Sequence, residues 1–586
     1  METKEPAKDL QSIEASLWNM ANNLRGSMDA SEYKNYILAF MFYRYLSEKQ
    51  GEYLISEDLI DCVAGQTSGF AAMEELFGTI DLEEVRNAAT ISAGFTKLEK
   101  EKKDKNGLPV HDSEGRVIME GVADWVGDYK DFVQDCTNRL GYCISPFYSW
   151  DVLRTLVAEH LIQPSDYQDM FEAFNYSLLY NKKSGKDFQS VFSDVNLGDS
   201  RLGTTTVERA KALGQIVELI DTIEYQGEQG RDILGSIYEY LIKQFAANAG
   251  KKGGEFYTPH EVSIIMAKIV TEGVKPHDQA FSVFDPTCGS GSLLLTVGNE
   301  VDKKAKGRMV SYFGQELNTT TYNLARMNLM MHDVDYNNMS LRNANTLGDD
   351  WPDGIGPDGK DHLRTFDAVV ANPPYSKKWD APESYLKDPR FSEYGGKLAP
   401  KSKADFAFLL DGLYHLNPEG TMAIVLPHGV LFRGAAEGAI RQALIEKNRI
   451  DTVIGLPANL FYGTGIPTII IILKKNKTNR DILFIDASQE FKKAKNKNEL
   501  TEDQINKIVE TYLNRKDVDK YAHVASLDEI KANDYNLNIP RYVDTNEPEK
   551  EIDLAEVDRE LAEVDAEIAK LQKEIDEQLK LLGVKF

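Results

Sequence analysis

Four consecutive residues, Asn372, Pro373, Pro374 and Tyr375, carry groups that suit the binding of a planar amine. The side-chain oxygen of Asn372 and the carbonyl oxygen of Pro373 can both accept hydrogen bonds from one NH₂ group. Such bonds draw the amine lone pair out of conjugation with its ring, which makes the nitrogen a better nucleophile. The Tyr375 ring offers a stacking face, which contributes about 1–3 kcal/mol for a nucleic-acid base. A base in duplex DNA reaches such a pocket only by flipping out.

The run before these residues predicts a buried strand that must stop there. Residues 366–371 are apolar and rich in Val, and two prolines then remove two hydrogen-bond donors. Ligands of open α/β sheets bind beyond the carboxyl ends of strands. Residues 281–475 alternate apolar runs with helical patterns, which is typical of a parallel α/β sheet. Strands are predicted at 282–284, 309–314, 366–371, 422–426, 451–456 and 468–473.

A glycine-rich loop at residues 284–292 (FDPTCGSGS) is the second candidate site. Its glycines permit a tight turn before a helix, whose N-terminus offers unpaired N–H groups. The loop lacks a third glycine and a P-loop lysine, so alone it does not separate nucleotide binding from a structural turn. Glu316 lies 25 residues after Gly291, close to the spacing of a ribose-binding acid; a helix-capping surface residue is the alternative. Asn345 suits either an adenine edge or a turn.

The sequence resembles the class I, Rossmann-like methyltransferases that use S-adenosylmethionine to methylate amino groups of DNA. The resemblance lies in three motifs in this order: DPTCGSG, Gln315-Glu316 and NPPY. With residues 254–259 (GEFYTP) and 459–467 (NLFYGTGIP), they resemble more narrowly the modification subunit of type I restriction–modification systems. The resemblance implies an α/β catalytic domain between a helical N-terminal domain and a C-terminal coiled-coil-type helix. NPPY, as opposed to a Ser-Pro-Pro form, implies methylation of adenine N6 over cytosine N4.

The resemblance also implies roles for individual residues. Asn372 to Tyr375 would bind the flipped adenine, with Phe461 as a second aromatic wall. The methionine end of the cofactor would contact residues 256–258, its amino-acid portion Asp285 and the loop at 287–291, and its ribose Glu316. No metal ligand is expected, and Cys288 is expected to be a small loop filler, not a nucleophile. The full cofactor-binding set is Glu255, Phe256, Tyr257, Thr258, Pro259, His260, Asp285, Thr287, Cys288, Gly289, Ser290, Gly291, Glu316 and Asn345.

Two features depart from these patterns or add to them. The third motif reads Asn343-Ala344-Asn345 where an acidic residue is common in the family, which weakens the adenine-edge role. Thr258 before Pro259 matches a helix N-cap with proline at the first helical position, and Glu261 follows three residues later.

Length and composition set the domain organisation. The 586 residues are too many for one core, and we expect a helical domain at 1–170, a catalytic domain at 171–480 with its core at about 250–475, an extension at 481–547 and a heptad helix at 548–586. Residues 33–46 predict a buried helix, and the charged stretch 99–115 an exposed loop or hairpin. The cysteines are isolated, and the sequence has neither an apolar run of about 18 residues nor an apolar signal core at the N-terminus. These features predict a cytoplasmic protein without membrane contact.

Charge and the C-terminal heptads bear on partners. A net charge of −26 makes the chain a poor clamp for double-stranded DNA unless a basic face or a basic partner assists. An apolar seam with spacings of three and four favours a helix that docks on a partner over packing on its own body. Its members are Leu554, Val557, Leu561, Val564, Ile568, Leu571 and Ile575. Candidate phosphate contacts, each with a solvated surface role as the alternative, are Lys377, Lys378, Lys474, Lys475, Lys477, Lys492, Lys493, Lys495 and Lys497.

The resemblance supplies the expected partners. A separate specificity subunit would read the DNA sequence and receive the helix at 554–582, a second modification subunit would complete the DNA clamp, and a restriction subunit can join. Three other functions remain open at this point: a stand-alone adenine methyltransferase with its own target recognition, a protein-glutamine methyltransferase, and a non-catalytic scaffold that keeps the methyltransferase fold.

Overall fold

The computed structural model describes residues 18–19, 22, 30–62, 66–78, 99–121, 126–181, 185, 187–223, 235–244, 258–277, 279–348, 363–461, 465–494, 497–545 and 554–583. The chain divides into a compact unit at residues 1–543 and a second unit at residues 544–586. Within the described residues, every helix is either too short or too polar to cross a membrane.

The first part of the compact unit is helical and has an aromatic core. The helix predicted at 33–46 is confirmed within α1, where Phe40, Phe42 and Tyr43 are fully buried. The charged stretch after residue 98 forms an exposed hairpin, as predicted, from strands β1 (Glu99–Glu101) and β2 (Met119–Gly121). The helices are α1 (Ala30–Ser56), α2 (Ser68–Phe77), α3 (Val126–Leu140), α4 (Trp150–Ala158), α5 (Asp166–Ser177) and α6 (Thr206–Asp221); residues 235–244 are also helical.

The described residues that follow build a nine-stranded sheet. All six predicted strands are confirmed, although the strand predicted at 422–426 begins six residues earlier, at Leu416. Three further strands join them. The bounds are β3 (Phe281–Asp285), β4 (Val310–Glu316), β5 (Met339–Asn343), β6 (Phe366–Ala371), β7 (Leu416–Pro427), β8 (Ile450–Gly455), β9 (Thr468–Lys474), β10 (Ile482–Asp486) and β13 (Ala522–Ala525). Their spatial order is β13-β10-β8-β9-β7-β6-β3-β4-β5, and a separate hairpin pairs β11 (Lys492–Lys493) with β12 (Asn498–Glu499).

The sheet is mixed, whereas the alternating pattern predicted a parallel one. β9 runs antiparallel to both of its neighbours, β7 and β8, and β13 runs antiparallel to β10. The physical reason at β9 is its connection: residues 456–467 join it directly to the adjacent strand. A direct link between neighbouring strands reverses the chain, because parallel neighbours need a crossover over the face of the sheet. The strands that carry the candidate site, β6, β3, β4 and β5, are parallel.

Helices cover both faces of this sheet. One face packs against α10 (Asp405–Tyr414), α11 (Ala435–Glu446) and α13 (Leu527–Ala532), and the other against α7 (His260–Val270), α8 (Ser292–Lys304) and α12 (Glu502–Asn514). Neighbours along a strand alternate between the faces: Val369 packs in the first layer and Val370 in the second. A further helix, α9 (Thr319–Met331), packs its methionines into the aromatic core of the N-terminal helices.

The predicted cap at Thr258 is wrong. Helix α7 begins at His260 with Pro259 at the N-cap position, and Glu261 lies 3.5 Å from the Lys497 ammonium. The Pro259 carbonyl accepts the first helical N–H bonds, from Val262 and Ser263. Proline at the cap position has no side-chain acceptor, so this helix starts without a capping box, and the Thr258 hydroxyl has another partner that is described below.

The second unit contains one long helix in its described residues, α14 (Leu554–Leu581). The apolar seam predicted from the heptads lies along it, and the seam side chains are exposed: Leu561, Val564 and Ile568 are 55%, 53% and 53% exposed. The predicted seam therefore lies on the surface of this helix in the described residues.

A buried arginine ties the strand-end region together. The Arg390 side chain, 1% exposed, lies 2.7 Å from Asp388 and 3.1 Å from Asp411 of α10. It also donates to the main-chain carbonyls of Thr346 and Gly348, at 2.9 and 2.7 Å. The segment after β5 is thereby fixed to the helix that covers the sheet.

The change Arg390→Ala should lower the free energy of unfolding by about 3–5 kcal/mol, because it leaves the Asp411 carboxyl group buried without its cation. Thermal and urea unfolding measure this. The matched control is Arg154→Ala, since Arg154 is 46% exposed beside Asp221, and its loss should cost less than about 1 kcal/mol. Equal losses for the two variants would contradict the buried-clamp role.

Candidate active site

Three adjacent strands bring the candidate residues to one edge of the sheet. β3 ends at Asp285, β4 at Glu316 and β6 at Ala371, directly before Asn372. Because these strands are parallel neighbours, their carboxyl ends open on the same side. A cavity of about 550 Å³ lies there and is lined by Thr287, Glu316, Asn345, Asn372 and Pro374, among others. The structure therefore joins the loop, the acid and the Asn-Pro-Pro turn that the sequence singled out separately.

The glycine-rich loop is held to the next strand by hydrogen bonds. The Asp285 carboxylate accepts from the main-chain N–H of Thr287 at 2.8 Å. Glu316 accepts from the N–H of Gly289 at 3.2 Å and from that of Asn318 at 2.8 Å. The loop needs glycine at 291, where φ is +78° and an added Cβ would lie 2.5 Å from a Leu329 methyl group.

Burial sets the protonation of this region. It raises the pKa of Asp285 to about 7, with a smaller contribution from the Glu316 charge, and it raises the pKa of Glu316 as well. It also raises the pKa of the Cys288 thiol, which stays protonated. A Cβ placed on Gly314 would lie 3.0 Å from the Cys288 sulfur, so this side chain fills the space between the loop and β4. The position of Cys288 therefore indicates a packing role, and its protonated thiol is a poor nucleophile.

The Asn372 amide lies between two hydroxyl groups. Its nitrogen donates to Thr258 Oγ1 at 3.0 Å, and its oxygen accepts from the Tyr375 hydroxyl at 2.9 Å. The Tyr375 and Phe461 rings meet edge to face, with centroids 6.1 Å apart at 76°. Phe461 is 5% exposed. The structure thus gathers Thr258, Asn372, Tyr375 and Phe461 from three separate segments of the sequence.

The turn after Tyr375 rests on charges that sequence reasoning missed. Ser376 has a left-handed φ of +51°, and its N–H donates to buried Asp405 at 2.8 Å. The other oxygen of Asp405 accepts from Arg433 at 3.0 Å, and Arg433 also reaches Glu437 at 2.8 Å. No local motif marks these residues, because their partners are 28 or more positions away along the chain except for the Arg433–Glu437 pair.

The remaining predicted site residues lie around the cavity or outside the described part of the chain. Ser290 is buried, and its carbonyl accepts from Asn328 at 2.9 Å; Pro259 is buried and His260 exposed at the start of α7. Pro373 is buried beside Asn372. Glu255, Phe256 and Tyr257 lie outside the described residues.

The cavity also has walls that the sequence analysis did not select. Its lining includes Asn318, Trp379, Tyr385 and Phe408. Trp379 is held in place because its indole N–H donates to the Pro400 carbonyl at 3.1 Å. The sequence signal that could have identified these walls is the presence of two aromatic residues, Trp379 and Tyr385, within ten positions after Tyr375.

Several lysines proposed as phosphate contacts have internal partners. Lys475 donates to the carbonyls of Tyr414 and Leu416 at 3.0 and 2.6 Å, and burial lowers its pKa to about 8. Lys477 donates to the Ile450 carbonyl at 3.0 Å, with a similar lowering of its pKa. These two ammonium groups are used inside the fold, which corrects their selection as phosphate contacts. The other positions divide as follows: Lys474 lies 3.7 Å from Glu272, Lys497 is buried beside Glu261, Lys377, Lys378, Lys492 and Lys493 are exposed, and Lys495 lies outside the described residues.

Comparison with known proteins assigns the family. Residues 229–551 match the family model of N-6 DNA methylases, and residues 13–220 match that of the HsdM N-terminal domain. The type I restriction enzyme MpnII methylase subunit of Mycoplasma pneumoniae is 34% identical over 558 residues, which are 94% of this chain and 92% of that protein. The HindI methylase subunit of Haemophilus influenzae is 34% identical over 56% of this chain and 72% of its own length.

A solved structure agrees with these matches. It is the methyltransferase subunit of a type I restriction-modification system from Streptococcus thermophilus, with a TM-score of 0.73 and 42% identity over 92% of this chain and 100% of that one. The chain therefore belongs to the N-6 DNA methylase family, within the group of type I restriction–modification methylase subunits.

Proposed function

We propose that this chain transfers a methyl group from S-adenosylmethionine to the N6 amine of adenine in double-stranded DNA. The observation that carries the proposal is the single cavity that joins Glu316 and Asn345 to Asn372. Glu316 and Asn345 would hold the adenosine part of the cofactor, while Asn372 would hold the base to be methylated. The family membership supports the same reaction, and the intact Asn-Pro-Pro-Tyr set argues against a non-catalytic scaffold.

The donor and acceptor groups around the loop fit this cofactor. Asp285 and Glu316 are acceptors whose pKa values are raised by burial, so an ammonium group and ribose hydroxyls are suitable partners for them. The start of α8 directs main-chain N–H groups toward a carboxylate. Thr258 would contact the methionine end. When bound, S-adenosylmethionine supplies a methyl group on a positively charged sulfur, which a neutral amine can attack without a covalent enzyme intermediate.

The Asn-Pro-Pro turn would bind and orient the amine. Asn372 Oδ1 and the Pro373 carbonyl accept its two hydrogens, and these bonds strengthen as the nitrogen gains positive charge. Tyr375 and Phe461 supply aromatic faces for the extruded base, since the two rings already form a pair beside the amide. Positioning is therefore the main contribution of the protein to the rate.

DNA recognition requires partners, because the net charge is −26. As a type I methylase subunit, the chain is one component of a multi-subunit assembly. We assign target reading to a specificity subunit and the closing of the DNA clamp to a second copy of the modification subunit, to which a restriction subunit can bind. Lys377 and Lys378, exposed at the cavity wall, remain candidates for phosphate contact near the flipped base.

The charges beside the seam of α14 indicate what kind of helix it binds. The positions that flank the seam carry Glu560, Glu567 and Glu574 on one side and Asp558 and Asp565 on the other. Pairing with a second copy of this helix would place acid opposite acid in either orientation. A helix of the specificity subunit with an apolar seam and basic flanks satisfies both requirements.

The variant Asn372→Ala should lose methylation by at least about 100-fold, since the amine loses its side-chain acceptor, while cofactor affinity stays within about threefold. The measurements are methyl incorporation into DNA, with the modified base read by sequencing, and calorimetric titration with S-adenosylmethionine. The assay is run with and without the specificity subunit. Retained turnover would remove Asn372 from the reaction, and site-specific methylation by the isolated chain would instead favour a stand-alone enzyme.

Cofactor affinity should rise with pH between about pH 6 and about pH 7.5. Asp285, with its pKa near 7, is protonated below that value, and a cofactor ammonium pairs with the charged form, so affinity falls by roughly tenfold per unit on the acid side. Asp285→Asn should weaken binding and remove this pH dependence. It should also raise the thermal midpoint of the cofactor-free protein above pH 7, where the buried group must otherwise ionise.

The matched control for this titration is Asp302→Asn, since Asp302 is an exposed aspartate on helix α8, which follows the glycine-rich loop. It should bind cofactor with the affinity and pH profile of the natural protein. An unchanged pH profile in Asp285→Asn would show that another group controls cofactor binding.

The double change Val564→Asp with Ile568→Asp should weaken association with the specificity subunit by at least about 100-fold, because it places two charges in the apolar seam. Deletion of residues 550–586 should abolish association. Co-purification and light scattering measure both. Ala566→Asp, which adds a charge on the opposite side of the helix, is the control and should leave association intact. Unchanged binding by the seam variant would exclude this helix as the contact.

A further inference from the structure

The Asn372 amide must be held in place to meet the adenine amine, and a hydroxyl group lies at each end of it. An amide that presents its oxygen to the adenine amine accepts a hydrogen bond, whereas the flipped amide opposes one NH₂ group with another. In the structure the amide nitrogen is directed to Thr258 Oγ1 at 3.0 Å and the oxygen to the Tyr375 hydroxyl at 2.9 Å. Each end of the amide therefore has its own partner.

Thr258 is available for this contact because it does not cap the following helix. Its sequence position before Pro259 favours a cap, but α7 begins at His260 and the Pro259 carbonyl accepts the first N–H bonds. The Thr258 hydroxyl instead spans 114 residues of sequence to reach Asn372. A threonine in this place is thus part of the proposed amine-binding site.

The Tyr375 hydroxyl strengthens the same arrangement. Burial, with the Asp405 charge as a second cause, raises the pKa of Tyr375 well above its usual range, so the phenol keeps its proton and donates to Asn372 Oδ1. The carbonyl oxygen has two lone pairs, and one remains for the amine. The phenol thus holds the oxygen end without consuming its full capacity.

We propose that Thr258 is a positioning residue that, opposite the Tyr375 hydroxyl, holds the Asn372 amide where its oxygen can meet the adenine amine. This inference rests on the proposed function and extends it. It gives Thr258 a role in the chemical step and in the recognition of adenine, beyond contact with the methionine end of the cofactor.

The test compares Thr258→Val, which keeps the shape and removes the hydroxyl, with Thr258→Ser, which keeps the hydroxyl. Methylation is measured with the full chain, its specificity subunit and saturating S-adenosylmethionine, so that weaker cofactor binding does not appear as a slower reaction. We expect kcat to fall about tenfold in Thr258→Val, the usual effect of leaving one donor unpaired, and to stay within about threefold in Thr258→Ser.

A second readout is specific to the contact between the Asn372 amide and the adenine amine. DNA that carries purine in place of the target adenine lacks the 6-amino group, and the natural complex should bind it more weakly than adenine DNA. Thr258→Val should reduce this preference, since an amide held at one end only is less well placed to accept from the amine, and Thr258→Ser should retain it. A purely structural effect of the substitution would weaken binding of both DNAs equally.

The outcomes separate the two claims. If the natural complex transfers no methyl group to adenine, the proposed function fails. If it does and Asn372→Ala keeps that activity, Asn372 has no part in the reaction and the present inference is overturned, while the proposed function stands. If Asn372→Ala is inactive but Thr258→Val shows the natural kcat or the natural preference for adenine over purine, only the present inference is overturned. Equal losses in Thr258→Ser and Thr258→Val also overturn it. Thermal midpoints check folding, and Thr258→Ala serves as a second hydroxyl-free variant if the valine destabilises the chain.

Discussion

The register of four parallel strands is the constraint on which the candidate site depends. β6, β3, β4 and β5 are consecutive neighbours, and their pairing sets Asp285 opposite Gly314 and Glu316 opposite Asn343. Groups at or just after the ends of these four strands therefore line one cavity. A shift of one residue in any of these pairs would turn an acid or amide away from the cavity and into a helix layer.

The polar clamps of the structure secure the segments that follow these strands. Arg390 holds the carbonyls after β5, Asp405 holds the N–H after Tyr375, and Glu316 holds the N–H of Gly289. Each clamp fixes main chain where regular strand pairing has ended, and where main-chain groups would otherwise lack partners. The precision of the site thus comes from side chains that reach back to backbone, more than from the loops themselves.

Much of the fold and part of the site followed from local pattern. The six strands, the buried helix α1 and the exposed heptad seam are confirmed, because alternation and periodicity report burial directly. The antiparallel β9 was missed because periodicity carries no information on strand direction. The cap assigned to Thr258 failed for a different reason: a local rule competed with a contact to Asn372 that is 114 residues distant. The roles of Arg390 and Asp405 also depend on contacts with residues far away in the sequence, so no local spacing predicts them.

The electrostatics of the site and of the whole chain point to a division of labour. Burial raises the pKa values of Asp285 and Glu316, so a cation bound beside them would stabilise their charged forms. S-adenosylmethionine carries positive charge on its sulfur and its ammonium group, so an acidic pocket is favourable for the cofactor. The same acidity, at a net −26, opposes a DNA backbone. Under the proposed function, a chain that attracts a cationic cofactor would therefore gain from a partner that contacts the DNA. The acidic flanks of α14 fit that division, because they favour a basic helix of a different protein over a second copy of this one.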